Sequence, residues 1–331
     1  MFGLFNKKPR TQIFKAFHFD ASSTPEFESI SGYHPLIKRD GFTRLNREQI
    51  QSIHKILDES KFNQYYLECL VPCWLLGIKD DLHDKYQLYT SNNFYLLTSE
   101  DEKFISSFLT SLENIRKRII RGLGKLHQET DEKLPVIIID DIEKYYEYIS
   151  YYYPEEGTFS ESGGVFLREL IPHFVFPQVN KDSTISVAAH ELTHALLSHQ
   201  ELPLWLDEGM AVNMEATITN FNPFRLTQEK HHKHLTFWDR DTIQEFWSGQ
   251  SFSRPDEGNE LSYQLAQLIT RSLAENHDAF YAFVNDANYQ DAGEASLRKH
   301  YDLSLGDIIE NVFGEGDWQP SPQKWQLKNE S

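Results

Sequence analysis

Apolar residues along this chain recur at a helical period in some stretches and form short continuous runs in others. After Asn46, residues Ile50, Ile53, Ile56 and Leu57 fall at helical spacing and predict a short helix. Ser99-Glu100-Asp101-Glu102 reads as a capping box. Phe104, Ile105, Phe108, Leu109, Leu112, Ile115, Ile119 and Leu123 follow it with helical periodicity, which predicts a helix over about 100–122 that stops near Gly122–Gly124. Lys and Arg crowd its last turns, where the helix dipole favours cations. The texture changes at Lys133. Leu134–Ile139 is a β-branched run and predicts a buried strand. Asp141–Tyr153 predicts a tyrosine-rich helix closed before Pro154. Ser162-Gly163-Gly164 then leads into Val165–Leu167 and Phe174–Phe176, two short apolar runs that read as a hairpin or neighbouring strands. Asp182/Ser183 can cap a following helix through residues 187–197. Residues 1 to about 45 are mixed, with turn signals at Ser22–Pro25, Tyr33-His34-Pro35 and Asp40-Gly41.

Composition narrows the classes. The chain has 331 residues, 40% apolar and 14% aromatic, enough for a sizeable core and too apolar for wholesale disorder. With 32 Lys plus Arg against 50 Asp plus Glu, the net charge is −18, which argues against a nucleic-acid partner. Two cysteines, Cys69 and Cys73, exclude a disulfide scaffold and read as a pair of buried thiols. The N-terminus has no signal-peptide pattern, and the most apolar stretch, Leu67–Ile78, is too short to span a bilayer. The expectation is a cytoplasmic chain without a membrane partner.

One motif carries chemistry. Residues 187–197 contain His190-Glu191-Leu192-Thr193-His194, an H-E-x-x-H pattern on a predicted helix. Positions i and i+4 share a helical face, so His190 and His194 can present ring nitrogens to one ion. Glu191 is offset by one residue and can reach a water beside that ion. The rest of the segment is apolar, and a buried His–Glu set requires partners. Two imidazoles and a carboxylate suit Zn²⁺ and leave a fourth position open.

A candidate third ligand follows in Leu202-Pro203-Leu204-Trp205-Leu206-Asp207-Glu208-Gly209-Met210-Ala211, with thirteen residues between His194 and Glu208. Pro203 suits the first turn of a returning helix. Glu215, two turns beyond Glu208, is the rival third ligand, and Asp207 could orient a histidine as an outer carboxylate. H-E-L-T-H followed by W-L-D-E-G-M-A resembles the gluzincin metallopeptidases of the compact peptidase MA-like branch. The resemblance covers about 134–318 and implies Glu208 as the third zinc ligand. It implies a small mixed sheet before the zinc helix. It also implies C-terminal helices, here Leu261–Leu273, Asn276–Phe283 and Ser304–Trp318. It further implies that Tyr263, near the start of the first of these, faces the zinc and donates to an oxyanion; the other reading of Tyr263 is a core residue.

The expected architecture is α+β: a mainly helical region over 1–130 of unknown role, a zincin-like catalytic domain over 131–320 with sheet, active-site helix and helical C-terminal part, and a polar tail over 321–331. The expected activity is zinc-dependent hydrolysis of a peptide or protein substrate with Glu191 as general base. The aminopeptidase pattern G-x-M-E-N is absent, which leaves endopeptidase action ahead. The alternative is a zinc-stabilised binding or regulatory protein. His231, His232 and His234 read as a solvated loop, the Tyr cluster of 145–153 as packing and surface, and His199 as a helix end.

Overall fold

The computed structural model describes residues 14–17, 30, 32–128, 132–152, 163–178, 181–222 and 224–326. The turn signal at Ser22–Pro25, and Tyr153, Pro154 and Ser162, lie outside the described residues; the helix expected to be capped at Asp182/Ser183 begins at Lys181, so both residues fall within its first turn rather than at its cap. The chain divides into two compact units, one of residues 1–114 with 130–185 and one of 115–129 with 186–331.

The first unit is α+β. Its strands are β1 (Lys15–Ala16), β2 (Leu36–Arg39), β3 (Phe42–Leu45), β4 (Gln87–Thr90), β5 (Phe94–Thr98), β6 (Leu134–Ile139), β7 (Val165–Leu167) and β8 (His173–Pro177). Six form one mixed sheet in the order β1-β4-β5-β6-β8-β7, in which β5, β6 and β8 run parallel and the outer pairs antiparallel. The central strands are apolar along nearly their whole length and buried, as strands covered on both faces must be. The runs at 134–139 and 165–176 therefore become strands, the second pair antiparallel as expected. The sheet does not respect the boundary expected near residue 131, because β4 and β5 come from the region anticipated as mainly helical. The run Phe94-Tyr95-Leu96-Leu97 is as apolar as Leu134–Ile139, and parallel pairing with β6 buries both.

The helices of this unit follow the apolar periodicity. They are α1 (Arg47–Ile56), α2 (Glu59–Tyr65), α3 (Val71–Asp81), the start of α4 (Glu102–Leu123) and α5 (Ile142–Ser150). Asn46 caps α1 by accepting from the Gln49 amide, and Asp141 caps α5. At α4 the cap is Asp101, which accepts from the Phe104 amide at 2.8 Å. Ser99 instead donates to Asp140 at 2.6 Å, so the expected capping box does not form and a single N-cap at Asp101 starts the helix. Asp40 and Gly41 both take positive φ and close the two-residue turn between β2 and β3. Cys69 and Cys73 are half-buried free thiols on helical backbone, and burial lifts Cys69 to about 11 and raises Cys73 as well, which favours the protonated thiol.

Arg44 on β3 is completely buried. Its guanidinium lies 4.4 Å from the Tyr148 ring centroid, 4.5 Å from that of Tyr151 and 5.2 Å from that of Phe42, and Nη2 donates to the Tyr148 carbonyl at 2.9 Å. The tyrosine-rich helix is thus packing, as expected, with a specific charge to enclose. Beside it, His173 is buried with Nδ1 2.7 Å from the Ile171 carbonyl and Nε2 2.9 Å from the Tyr148 hydroxyl. A carbonyl only accepts, so Nδ1 carries the proton and Nε2 accepts from Tyr148.

The second unit is helical. It holds the end of α4, α6 (Lys181–Leu197) from residue 186 onward, α7 (Leu204–Thr219), α8 (Gln228–Phe237), α9 (Thr242–Ser248), α10 (Gly258–Leu273), α11 (His277–Asp286), α12 (Glu294–Tyr301), α13 (Leu305–Phe313) and α14 (Pro322–Gln326). The segments expected as helices at 261–273, 276–283 and from Ser304 are α10, α11 and α13. His199 is exposed just beyond the end of α6. The expected polar tail includes α14, whose Trp325 Nε1 donates to Gln244 at 3.2 Å. The histidine cluster is not a loop. Thr227 caps α8, and His234 on its inner face is fully buried, accepting from Trp238 Nε1 at 2.8 Å and contacting Gln264 Oε1 at 3.0 Å. Among the described residues no helix is long and apolar enough to cross a membrane.

His234 must be neutral to accept from Trp238, and burial first, with the charge of His231, pushes its pKa down to about 4. The unfolded chain would titrate near 6.5. The folded pKa is the lower one, so its contribution is fully present above pH 6.5 and is lost as pH falls towards 4. In His234→Gln, which keeps both hydrogen bonds, the fall in unfolding free energy between pH 7 and 5 should flatten by close to one proton. Urea unfolding across that range is the measurement.

Candidate metal centre

The site is built on two consecutive helices of the second unit. α6 carries His190, Glu191 and His194, and α7 carries Asp207, Glu208 and Glu215. The connection is short, and Pro203 stands one position before α7 rather than within it, its carbonyl accepting from the Leu206 and Asp207 amides.

Successive residues of Trp205-Leu206-Asp207-Glu208-Gly209 do separate work. Trp205 is fully buried, donates from Nε1 to the Ala292 carbonyl at 3.0 Å, and packs among Trp247, Phe246 and Phe283. That anchors the start of α7. Asp207 Oδ1 lies 3.0 Å from His194 Nδ1, an ion-pair contact rather than a well-aligned hydrogen bond. Glu208 faces both histidines. Gly209 lets α7 approach α10: a Cβ there would lie 2.5 Å from the Ala266 carbonyl oxygen and closer still to Thr270 Oγ1. The positions of Asp207 and Glu208 match the expectation from sequence, whereas the anchor at Trp205 and the close approach at Gly209 emerge only in the fold.

Three donor atoms converge. His190 Nε2 is 3.1 Å from His194 Nε2 and 3.1 Å from Glu208 Oε2, and His194 Nε2 is 3.4 Å from the same carboxylate oxygen. Ligands about 2.1 Å from a tetrahedral zinc stand about 3.4 Å from one another. The three atoms therefore have close to the spacing of one face of such a tetrahedron. Among the described residues this is the group of histidine and carboxylate donors that could hold a metal ion.

Electrostatics point the same way. Burial opposes charge on His190, yet hydrogen bonds to Glu208 and Glu215 outweigh it and raise the pKa to about 9. His194 is likewise penalised by burial and is lifted well above its usual value by Glu208 and Asp207. Burial works against the Glu208 carboxylate too, but the two imidazoles hold its pKa far below the ordinary carboxylate range. Three carboxylates around two imidazoles thus favour a positive charge at the centre, supplied by protons or by a metal that displaces them.

Glu215, weighed as a rival ligand, takes an outer position. His190 turns its Nε2 to the centre and its Nδ1 to Glu215 Oε2 at 3.2 Å. Ser186, one turn before His190, donates to Glu215 Oε1 at 2.5 Å. Glu215 lies on the same face of α7 as Glu208, two turns on, and bridges α6 to α7. Nothing in the sequence reading singled out Ser186, although its i, i+4 relation to His190 was visible.

Tyr263 on α10 is brought to the site. Its ring centroid is 6.5 Å from that of His190, and it stacks on Phe224 at 5.6 Å with Phe252 edge-on at 5.2 Å. Burial first, then the charges of Glu208 and Glu191, push its pKa far above the usual tyrosine value, so it stays protonated and can donate. Glu191 follows His190 on α6, half-buried and near enough to Tyr263 to act on its titration.

The chain matches no protein-family model, and comparison with curated proteins finds no relative.

Glu215→Ala should free the outer nitrogen of His190 and weaken zinc binding about ten- to hundredfold without unfolding the chain, as read by chelator competition and circular dichroism. Gly209→Ala should force α7 off α10. It should lower the unfolding free energy by about 2 kcal/mol and reduce zinc affinity together, as read by denaturant titration with and without metal.

Proposed function

We propose that the chain is a zinc-dependent peptide hydrolase of gluzincin type with a zincin-like catalytic region, acting on internal bonds of a peptide or protein substrate. The observation that carries this reading is the near-tetrahedral spacing of His190 Nε2, His194 Nε2 and Glu208 Oε2, with Glu191 next in the chain to the first of them. Further support comes from the order of elements, in which a mixed sheet is followed by α6, α7 and a set of C-terminal helices.

A zinc ion held by these three side chains would polarise a peptide carbonyl and acidify a water molecule. Every other part of the chemistry falls to the chain itself. Glu191 accepts the water's proton on its carboxylate and delivers it to the departing amide nitrogen. The Tyr263 hydroxyl donates a hydrogen bond to the carbonyl oxygen on which negative charge develops, a role that requires the phenol to keep its proton. The stack on Phe224 and the edge of Phe252 restrict the tyrosine ring. Asp207 and Glu215 hold the outer nitrogens of His194 and His190, which fixes the rings with their inner nitrogens towards the centre.

Elemental analysis of the untagged chain should give about one zinc per molecule, with marked loss in Glu208→Ala. Glu191→Gln should keep its zinc and lose hydrolysis of a mixed peptide library by a factor of about 100 or more. A zinc-loaded Glu191→Gln protein that still cleaves, or a native chain that takes up no zinc when supplied with it, would sink the proposal. Zinc uptake without any Glu191-dependent cleavage would instead indicate a zinc-stabilised binding protein.

A further inference from the structure

The face of α7 opposite the metal centre lines a cavity. Glu208 and Glu215 project one way, whereas Met210, Asn213, Met214 and Thr217, about half a helical turn round, wall a space of about 540 Å³ within the second unit. That volume is within the range that holds small-molecule ligands. Leu123 at the end of α4, Leu126, and Phe280 on α11 make much of the remaining wall apolar. Met210 and Met214 are adaptable apolar surfaces.

The other half of the lining is polar, and its groups are unevenly used. Asn213 spends its side-chain amide hydrogens on the Gly209 and Gln267 carbonyls, at 2.8 and 3.0 Å. Gln267 donates to Asn222 at 3.1 Å. Thr270 is 3% exposed, and its hydroxyl has no hydrogen-bond partner among the described residues. At the rim, Arg271 is exposed, and among the described residues no carboxylate stands at ion-pair distance from it, Glu275 one turn on included. In a chain of net charge −18, an exposed arginine lining a cavity that has an apolar wall, with no carboxylate at ion-pair distance among the described residues, is complementary to an anionic head on an apolar tail.

We propose that this cavity is a binding site for an amphiphilic monocarboxylate of medium chain length, its tail seated among Leu123, Leu126, Met210, Met214 and Phe280 and its carboxylate on the Arg271 guanidinium. The site shares α7 with the metal centre but none of its ligands. Its occupancy is therefore testable without reference to hydrolysis, and the proposal survives or fails independently of the peptidase reading.

The experiment is calorimetric titration of the full chain with decanoate, and with decanol as the uncharged control. Saturable binding of about one decanoate per chain is expected, with decanol weaker. Arg271→Glu, an exposed change that leaves the core intact, should weaken decanoate about tenfold and leave decanol unchanged. Met214→Trp, which fills the cavity, should abolish both while the zinc content stays at the native level. Should that variant fail to fold, the contrast between decanoate and decanol in Arg271→Glu still decides the matter. Absence of saturable decanoate binding, or decanoate binding indifferent to Arg271→Glu, would overturn the proposal.

Discussion

Two imidazoles and three carboxylates packed against one another inside a helical unit are tolerable only if a positive charge sits among them. Isolated buried ions are expensive, and the cost is recovered here by close opposite charges and by hydrogen bonds at the outer atoms. His190 and Glu208 at 3.1 Å, with Glu215 and Asp207 behind the rings, form that arrangement. The local structure follows from it. α6 must present two residues one turn apart, α7 must return immediately, and both must be held in register.

Register is enforced by packing. Trp205 locks the start of α7 into an aromatic cluster, and Gly209 allows α7 to lie almost in backbone contact with α10. A helix fixed at both points has little freedom to rotate, so Glu208 and Glu215 keep their direction and Met210, Asn213, Met214 and Thr217 keep the opposite one. The same contact places Tyr263 of α10 beside His190. The convergence of His190, His194 and Glu208, the position of Tyr263 and the cavity behind α7 are thus consequences of one helix–helix approach.

The first unit solves a different problem of buried charge. Arg44 has no carboxylate at ion-pair distance among the described residues and is enclosed by the faces of Phe42, Tyr148 and Tyr151. A delocalised guanidinium is weakly hydrated and stacks well, which makes an aromatic enclosure possible where an ammonium would be poorly accommodated. Tyr148 also donates to His173, whose tautomer the Ile171 carbonyl fixes, so the tyrosine-rich helix organises polar groups as well as filling space.

The sequence by itself determined what depends on local spacing. The H-E-x-x-H geometry is a property of any α-helix, and the buried strand at 134–139, the hairpin-like pair after it and the helices at 47–56, 102–123 and 142–150 follow from period and capping residues. Even the carboxylate of Asp207 beside His194 was legible, because it adjoins Glu208. Tertiary structure decided what depends on partners distant in the chain. β4 and β5 join the strands beyond residue 130 because an apolar run becomes a strand only when a neighbour accepts its backbone hydrogen bonds. Glu215 stands at the outer nitrogen of His190 because Glu208 faces the inner one. His234 is a core residue because Gln264 of α10 meets it across the unit, while Trp238 closes over it from the end of its own helix. Spacing fixes which side chains share a face of one helix; only packing fixes what that face meets.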